Sequence, residues 1–516
     1  MHRGQQTLPS DWEICKKVEY KEAADFFSSH ANSACYPGGI HISGLVWTCL
    51  RRVCCGKPQN MASPIPSVSA GLNGATKMTA MHPPTRFPFS ARVWPCIVFP
   101  AIFAITACTA RAPTVPMAQV AETIATQPAQ ATTGEGEHAR KFALWVDEFR
   151  ATARKAGIRE ETLHIAFDQI RFLPSVIELD RAQPEFTRSI WDYLDITLSA
   201  QHITRGQDKL QQLGSEAAAL TARYGVPIEI VVAIWGMESN YGSNFGDIPT
   251  IDALATLGFE GRREAWARSQ LLAALKILQS GDIDRTRMIG SWAGAMGQTQ
   301  FLPSNFLAYA VDADGDSRRD LWGSAADVVA STANFLASSG WLAGQPWGTE
   351  VRLPPDFDYS RADDAVRQPS ASWAKEGVQS MNGEPLPALI DSSIWLASTA
   401  GGPAFMIGPN FRTILRYNDS TSYAMAVNLL AQRLAGGPPV QAAWPRDVQA
   451  LTRSQLLAMQ TVLNTLGFDS GTPDGMMGPA TRRGIRKYQS SLGMPADGYP
   501  TPKLLQQLQK SSGTVP

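Results

Sequence analysis

The chain has 516 residues, with 46 basic and 46 acidic side chains and therefore no formal net charge. That length exceeds one ordinary core and sets an expectation of two or more domains, while the balanced charge removes any electrostatic reason to expect nucleic acid as a partner. All seven cysteines lie at or before Cys108, which excludes a disulfide framework or a cysteine metal site in the rest of the chain.

Residues 1–77 carry no clear helical or strand periodicity and read as an upstream extension rather than a domain. Met78 and Met81 stand where a start would bring the next segment to the amino terminus. There Arg86 and Arg92 precede an apolar run from Val93 to Ile105, followed by Ile-Thr-Ala-Cys at 105–108. Basic, apolar and small residues in that order describe a secretory signal over 78–107, too short to span a bilayer comfortably. It resembles a bacterial lipoprotein signal, which implies lipidation of Cys108 and, with threonine at 109, a place at the outer membrane. Residues 108–137, rich in Ala, Thr, Pro and Gln, read as a flexible tether.

From His138 the pattern turns helical, with apolar residues three and four apart, and continues so to about Leu434. Within it, "VVAIWGMESNYG" at 231–242 is an apolar helix ending in one carboxylate, Glu238, with Asn240 and Gly242 as stop signals. Val231, Ile234 and Trp235 share the face of Glu238. Burial beside Trp235 and the negative end of the helix dipole both disfavour the anion, which suits a general acid near neutral pH. A capping or ion-paired glutamate is the structural alternative.

Three blocks carry a resemblance. Glu-Ser-Asn-Tyr-Gly at 238–242, Gly-Ala-Met-Gly-Gln-Thr-Gln-Phe-Leu-Pro-Ser at 294–304, and Tyr-Asn-Asp-Ser-Thr-Ser-Tyr-Ala-Met-Ala-Val at 417–427 resemble the membrane-bound lytic murein transglycosylase B family. The resemblance spans 138–434 and implies a mainly α, lysozyme-like α+β catalytic region. It implies cleavage of the β-1,4 bond between N-acetylmuramic acid and N-acetylglucosamine in peptidoglycan, with Glu238 as acid and then base and a 1,6-anhydro product. No cofactor is needed for that chemistry. Ser291 and Gln300 would lie beside the scissile sugar, Tyr417, Asn418 and Tyr423 would line the other side, and Tyr193 and Arg263 would touch glycan or peptide. For the last two, surface packing or a plain ion pair is an equal reading. Two alternatives stay open at this point: a hydrolytic muramidase, which ordinarily needs a second carboxylate, and a non-catalytic wall-binding protein.

"DADGDSRRD" at 312–320 places Asp312, Asp314, Asp316 and Asp320 at positions one, three, five and nine of a calcium loop, with Gly323 rather than the bidentate glutamate at twelve, and Arg318 is counted among the expected metal residues. Ser317 stands where glycine is wanted, and the later acid is Asp327, as in the family's extended loop. The expectation is a structural calcium ion; an Asp-rich turn held by its own side chains is the bland reading.

"AGGPPVQAAWP" interrupts the helical run and reads as a flexible linker, 435–446. Residues 447–511 read as three helices, with Leu456, Met459, Leu463, Ile485 and Tyr488 at core spacing. Gly467-Phe468, Asp474-Gly475-Met476-Met477-Gly478-Pro479-Ala480-Thr481 and "YQSSLGMPADG" resemble a peptidoglycan-binding domain; the Asp474-Gly475 turn reads as architectural. No long-period internal repeat is expected. The implied partners are peptidoglycan glycan strands, the membrane through the lipid anchor only, and cell-wall synthesis or division proteins, acting on a monomer of the Gram-negative periplasm.

Overall fold

The structure, a computed structural model, describes residues 133–182 and 188–513. The upstream extension, the signal with Cys108, and the tether up to residue 132 lie outside the described residues. Among the described residues, six helices precede the glutamate helix: α1 (Thr133–Lys155), α2 (Glu160–Phe167), α3 (Pro174–Arg181), α4 (Ile190–Thr197), α5 (Ala200–Leu213) and α6 (Ser215–Tyr224). The glutamate helix α7 (Ile228–Ser239) is followed by β1 (Ile248–Pro249), α8 (Thr250–Glu260), α9 (Glu264–Ser280), β2 (Ile289–Gly290), α10 (Pro303–Tyr309) and α11 (Ala325–Ser338).

The sequence places an apolar stripe on one side of α7, but the helix is buried all round: Ile230 through Gly236 are all inaccessible. A helix apolar on every face belongs inside a core. It packs against α5, α6 and α11 and against the later helix Thr421–Leu434, and Glu238 lies in its last turn, where the helix leaves the apolar interior.

Residues 348–407, expected as part of the helical run, contain a four-stranded antiparallel sheet. Its strands are β3 (Gly348–Arg352), β4 (Gln379–Ser380), β5 (Ser393–Leu396) and β6 (Ala404–Ile407), in the order β4-β3-β6-β5, with α12 (Ser370–Lys375) between β3 and β4 in sequence. Thr349 pairs with Met406 and Trp395 with Phe405. The sheet has its own small core around Trp373, Ile394 and Met406. The chain then returns through α13 (Pro409–Leu415) and α14 (Thr421–Leu434).

The C-terminal module is α15 (Arg453–Thr465), α16 (Pro479–Ser491) and α17 (Pro502–Ser511), closed around Leu456, Met459, Leu463, Ile485, Tyr488 and Leu508. Contrary to the sequence reading, it contains an internal repeat. Arg453, Leu456, Met459 and Gln460 recur at one constant offset as Arg482, Ile485, Tyr488 and Gln489. Each glutamine holds an Asp-Gly turn. Gln460 accepts from Gly475 N at 2.8 Å and donates to Asp474 Oδ1 at 3.0 Å, while Gln489 accepts from Gly498 N at 2.8 Å and donates to Asp497 Oδ1 at 2.6 Å. Both glycines are left-handed, at φ 72 and 70, and a Cβ on either would run into the side chain of Arg453 or Arg482. The Asp474-Gly475 turn is thus architectural, as its sequence suggests.

Glycine and proline make the 435–446 linker read as flexible, yet tertiary contacts tie it down. Gln441 N and Ala442 N donate to the Glu350 carboxylate at 2.8 Å each, and Arg446 meets Asp195 through two bonds of 2.7 and 2.9 Å. The module itself docks through buried Arg486, which bonds Asp363 and the Ala362 carbonyl, and through Asp497, which accepts from Ala400 N at 2.8 Å.

Candidate active site

Glu238 sits in the last turn of α7, and the residues after it explain its motif. Asn240, Tyr241 and Gly242 are consecutively left-handed, at φ 48, 58 and 84. A bulky residue in that region is strained, so Tyr241 is held from several sides. Its hydroxyl donates to His202 O at 3.0 Å, and its ring lies against Gly206 and Gly236, where any Cβ would collide with it. Ser239 Oγ accepts from Gly242 N at 3.1 Å. Gly242 lies so close to the Gln298 amide that a side chain there has no room.

The second block meets the first through polar side chains. Buried Gln298 accepts from Trp235 Nε1 at 2.9 Å and donates to Trp322 O at 2.7 Å. Gln300, itself left-handed at φ 51, donates through Nε2 to Phe245 O at 2.9 Å and Gly297 O at 2.8 Å. The short ladder of β1 and β2 pairs Ile248 with Gly290, and Gly246 packs on the Gly290 carbonyl too closely for a Cβ.

The third block supplies Tyr423, buried in the first turn of α14, whose hydroxyl donates to Glu238 Oε1 at 2.5 Å. Tyr417 donates to Thr299 O at 2.6 Å. Burial pushes the Glu238 carboxyl up to about 7, against the opposing effect of the Tyr423 bond. Its negative charge in turn adds to burial in raising three phenols: Tyr193 to about 12, and Tyr417 and Tyr423 well above the ordinary value. Among the described residues, the titratable groups so coupled to Glu238 are these phenols and no second carboxylate; Asp247, next in sequence, is exposed.

The structure therefore gathers Glu238, Tyr193, Tyr417 and Tyr423, with Gln300 bonded to the backbone of the adjoining loop. Ser291 makes a turn, accepting from Ala295 N at 3.1 Å, and Asn418 is exposed after α13. Arg263 lies over the Trp266 ring at 4.2 Å and 3.9 Å from Asp180, the packing and ion-pair alternative. Sequence reasoning missed Gln298, Tyr241 and the polar role of Trp235. The signal available for Gln298 was its place two residues before Gln300 in one glycine-rich loop.

In the acidic loop, carboxylate oxygens of Asp312, Asp314 and Asp327 lie within 4.8 Å of one another. Asp316 instead accepts from Arg318 N at 2.8 Å. Asp327 is buried and accepts from Ala313 N and Asp320 N, each at 2.7 Å; burial and the neighbouring Asp314 push its carboxyl up. Ser317, at φ 72, takes the left-handed conformation that glycine would have favoured.

A mainly helical, lysozyme-like region whose buried central helix delivers one acid to a group of phenols is thus followed by a three-helix module. The profile of the Transglycosylase SLT domain matches residues 141–432 and that of a peptidoglycan binding domain matches 452–508; the chain belongs to the SLT transglycosylase family. It is 36% identical over 219 residues to membrane-bound lytic murein transglycosylase B of Escherichia coli K12, covering 41% of this chain and 58% of that protein. It thus spans less than two thirds of that relative's length. SltB3 from Pseudomonas aeruginosa, solved in complex with NAG-anhNAM-pentapeptide, is 51% identical with a TM-score of 0.70, covering 71% of this chain and 99% of that one. The soluble lytic transglycosylase SltB1 from Pseudomonas aeruginosa is 30% identical with a TM-score of 0.50, covering 57% and 98%.

Proposed function

We propose that the chain is a lytic murein transglycosylase that cleaves the β-1,4 bond between N-acetylmuramic acid and N-acetylglucosamine without consuming water. The observation that carries the reading is the single raised carboxyl of Glu238 among phenols, with no second carboxylate coupled to it among the described residues. At neutral pH the carboxyl is about half protonated, so it can give its proton to the leaving O4 oxygen as the C1–O4 bond breaks. The resulting carboxylate takes the proton of the muramic acid C6 hydroxyl as that oxygen bonds to C1. The 1,6-anhydro ring closes and the acid is restored. An intramolecular nucleophile removes the need for the second carboxylate that a water-using glycosidase requires. Tyr423 would hold the carboxyl in place and stabilise its anionic form. Tyr193, Tyr417, Ser291, Gln300, Asn418 and Arg263 would bind sugar or peptide through hydroxyl, amide, ring and guanidinium groups.

Mass analysis of peptidoglycan digests tests this reading. Anhydro ends are expected from the parent chain and none from Glu238→Gln; ends heavier by one water would instead establish the hydrolase.

The same reading places the protein at the periplasmic side of the outer membrane, held by lipid on Cys108. Cys108→Ala is expected to release it from the membrane fraction, and unchanged fractionation would refute the anchor. Asp312, Asp314 and Asp327, joined by Asp316 and the Arg318 carbonyl, would hold a structural calcium ion, since hard oxygen ligands at this spacing suit that cation.

A further inference from the structure

Tyr423 of α14 holds the Glu238 carboxyl from one side, and the glycine-rich loop holds the last turn of its helix from another. The link is Gln298, only 8% exposed, whose Oε1 accepts from Trp235 Nε1 at 2.9 Å and whose Nε2 donates to the Trp322 carbonyl at 2.7 Å. An indole N–H only donates and a carbonyl only accepts, so the amide has a single orientation in which both bonds form. Leucine or methionine would fill much the same space, but each would leave a buried donor and a buried acceptor unpaired. What the amide adds to packing is direction.

That direction bears on the acid. Trp235 stands three residues before Glu238, on the same helix face. The residues after the acid hang on it as well, because the Trp235 carbonyl accepts from Ser239 Oγ at 3.2 Å and from Tyr241 N at 3.3 Å. Fixing the indole therefore fixes the turn from which the Glu238 side chain projects. Gly242, at the end of the left-handed hook, approaches the same amide too closely for a Cβ, so Gln298 also limits where the hook can lie. The far end of the link is firm. Gln298 N donates to Leu321 O at 2.7 Å, and Trp322 donates through N to Asp320 Oδ1 at 2.9 Å and through Nε1 to Ile289 O at 2.8 Å.

We propose that Gln298 is the positioning residue of Glu238: acting through Trp235, it sets the direction in which the carboxyl meets Tyr423 and the glycosidic oxygen. The proposal rests on the reading of Glu238 as the acid. Misplacing a reacting group by about 1 Å costs on the order of a hundredfold in rate, so loss of the amide belongs in turnover rather than in binding.

Digestion of a soluble peptidoglycan fragment, a tetrasaccharide with its stem peptides, by the full chain tests this through kcat and KM at pH 5 and pH 8. Gln298→Met, close in size and without the amide, is expected to lower kcat at least tenfold at both pH values while KM stays within twofold. Gln298→Glu supplies a rescue. Burial raises an introduced carboxyl, so at pH 5 its O–H donates to the Trp322 carbonyl while its other oxygen accepts from Trp235; at pH 8 it is ionised and has no proton to give. Its kcat relative to the parent at the same pH is expected to be at least tenfold higher at pH 5 than at pH 8, and the titration of Glu238, common to both chains, largely cancels in that ratio. Circular dichroism at each pH follows the fold. Should Gln298→Glu unfold at pH 8, the comparison is made at pH 5 alone, where its kcat is expected to exceed that of Gln298→Met at least tenfold. A packing role alone would lower the melting temperature and leave kcat at the parent's value. Parental kcat in Gln298→Met, a loss confined to KM, or no rescue of Gln298→Glu at pH 5 would each overturn the assignment. Glu238→Gln is digested in parallel. If it works as fast as the parent, the acid is misassigned and this proposal falls with it; an inactive Glu238→Gln beside fully active Gln298 variants keeps the acid and discards the positioning role.

Discussion

Glu238→Gln offers a test of the acid that does not depend on substrate. The Glu238 carboxyl stands at about 7 in the folded chain against an ordinary 4.5, a difference that corresponds to about 3 kcal/mol of preference for the neutral form. Between those values the unfolded chain ionises at this position while the folded chain keeps its proton. The unfolded state then binds fewer protons, so the contribution of Glu238 to stability is fully present below 4.5 and falls as pH rises through 7. Glutamine has nearly the shape of the protonated acid and cannot ionise. The stability difference between variant and parent is therefore expected to be near zero at pH 4 and to grow to about 3 kcal/mol in favour of the variant at pH 8. Denaturant titrations at a series of pH values, analysed with a common slope, measure this directly. All other titrating groups cancel in the difference. A difference that stays flat from pH 4 to 8, or one that favours the parent at pH 8, would refute the claim that burial holds this acid protonated.

Tyr423→Phe removes the hydrogen bond that favours the anion, so Glu238 should titrate higher and the basic limb of the pH–rate profile should move up with it; an unmoved limb would count against the contact. Gly242→Ala combines a left-handed backbone with a collision at Gln298 and should destabilise the fold by about 2 kcal/mol or more, read by thermal melting. Calcium at a hundred times its dissociation constant should stabilise the parent by about 2.7 kcal/mol. Asp314→Asn should abolish most of that gain, and a parent indifferent to calcium would remove the ion from the account.

The acid and its phenol were legible because both sit inside sequence blocks with a recognisable order. Their supports were less so. Gln298 bonds Trp235 and Trp322, and Tyr241 reaches His202; beyond the place of Gln298 beside Gln300, nothing local marks these buried polar partners, which meet only when the loops are folded together. The sheet escaped because strands such as Ser393–Leu396 and Ala404–Ile407 are short apolar runs buried on both faces, and such runs have no period that separates strand from helix. The module's repeat rests on a few recurring residues, Arg453 and Gln460 against Arg482 and Gln489, and becomes plain once both glutamines are seen gripping Asp-Gly turns. Composition suggested a boundary at 435–446, but glycine and proline say nothing of the acceptor that waits for the linker, here the Glu350 carboxylate.

The docked module also has a physical route to the acid. Helix α4 is only eight residues long, yet three of its side chains face different neighbours. Trp191 stacks on Tyr499 of the module at 6.4 Å and lies 6.2 Å from Trp444 of the linker. Asp195 pairs with Arg446 at the end of the linker. Tyr193, between them, is raised partly by the charge on Glu238. A short helix has little internal stability and takes its position from tertiary contacts, and here the module and linker provide several of those contacts. Loosening them would move Tyr193, and with it one wall of the polar surroundings of Glu238. The three-helix module, expected from sequence as a separate wall-binding element on a flexible strap, is in this fold also part of what positions the catalytic surroundings.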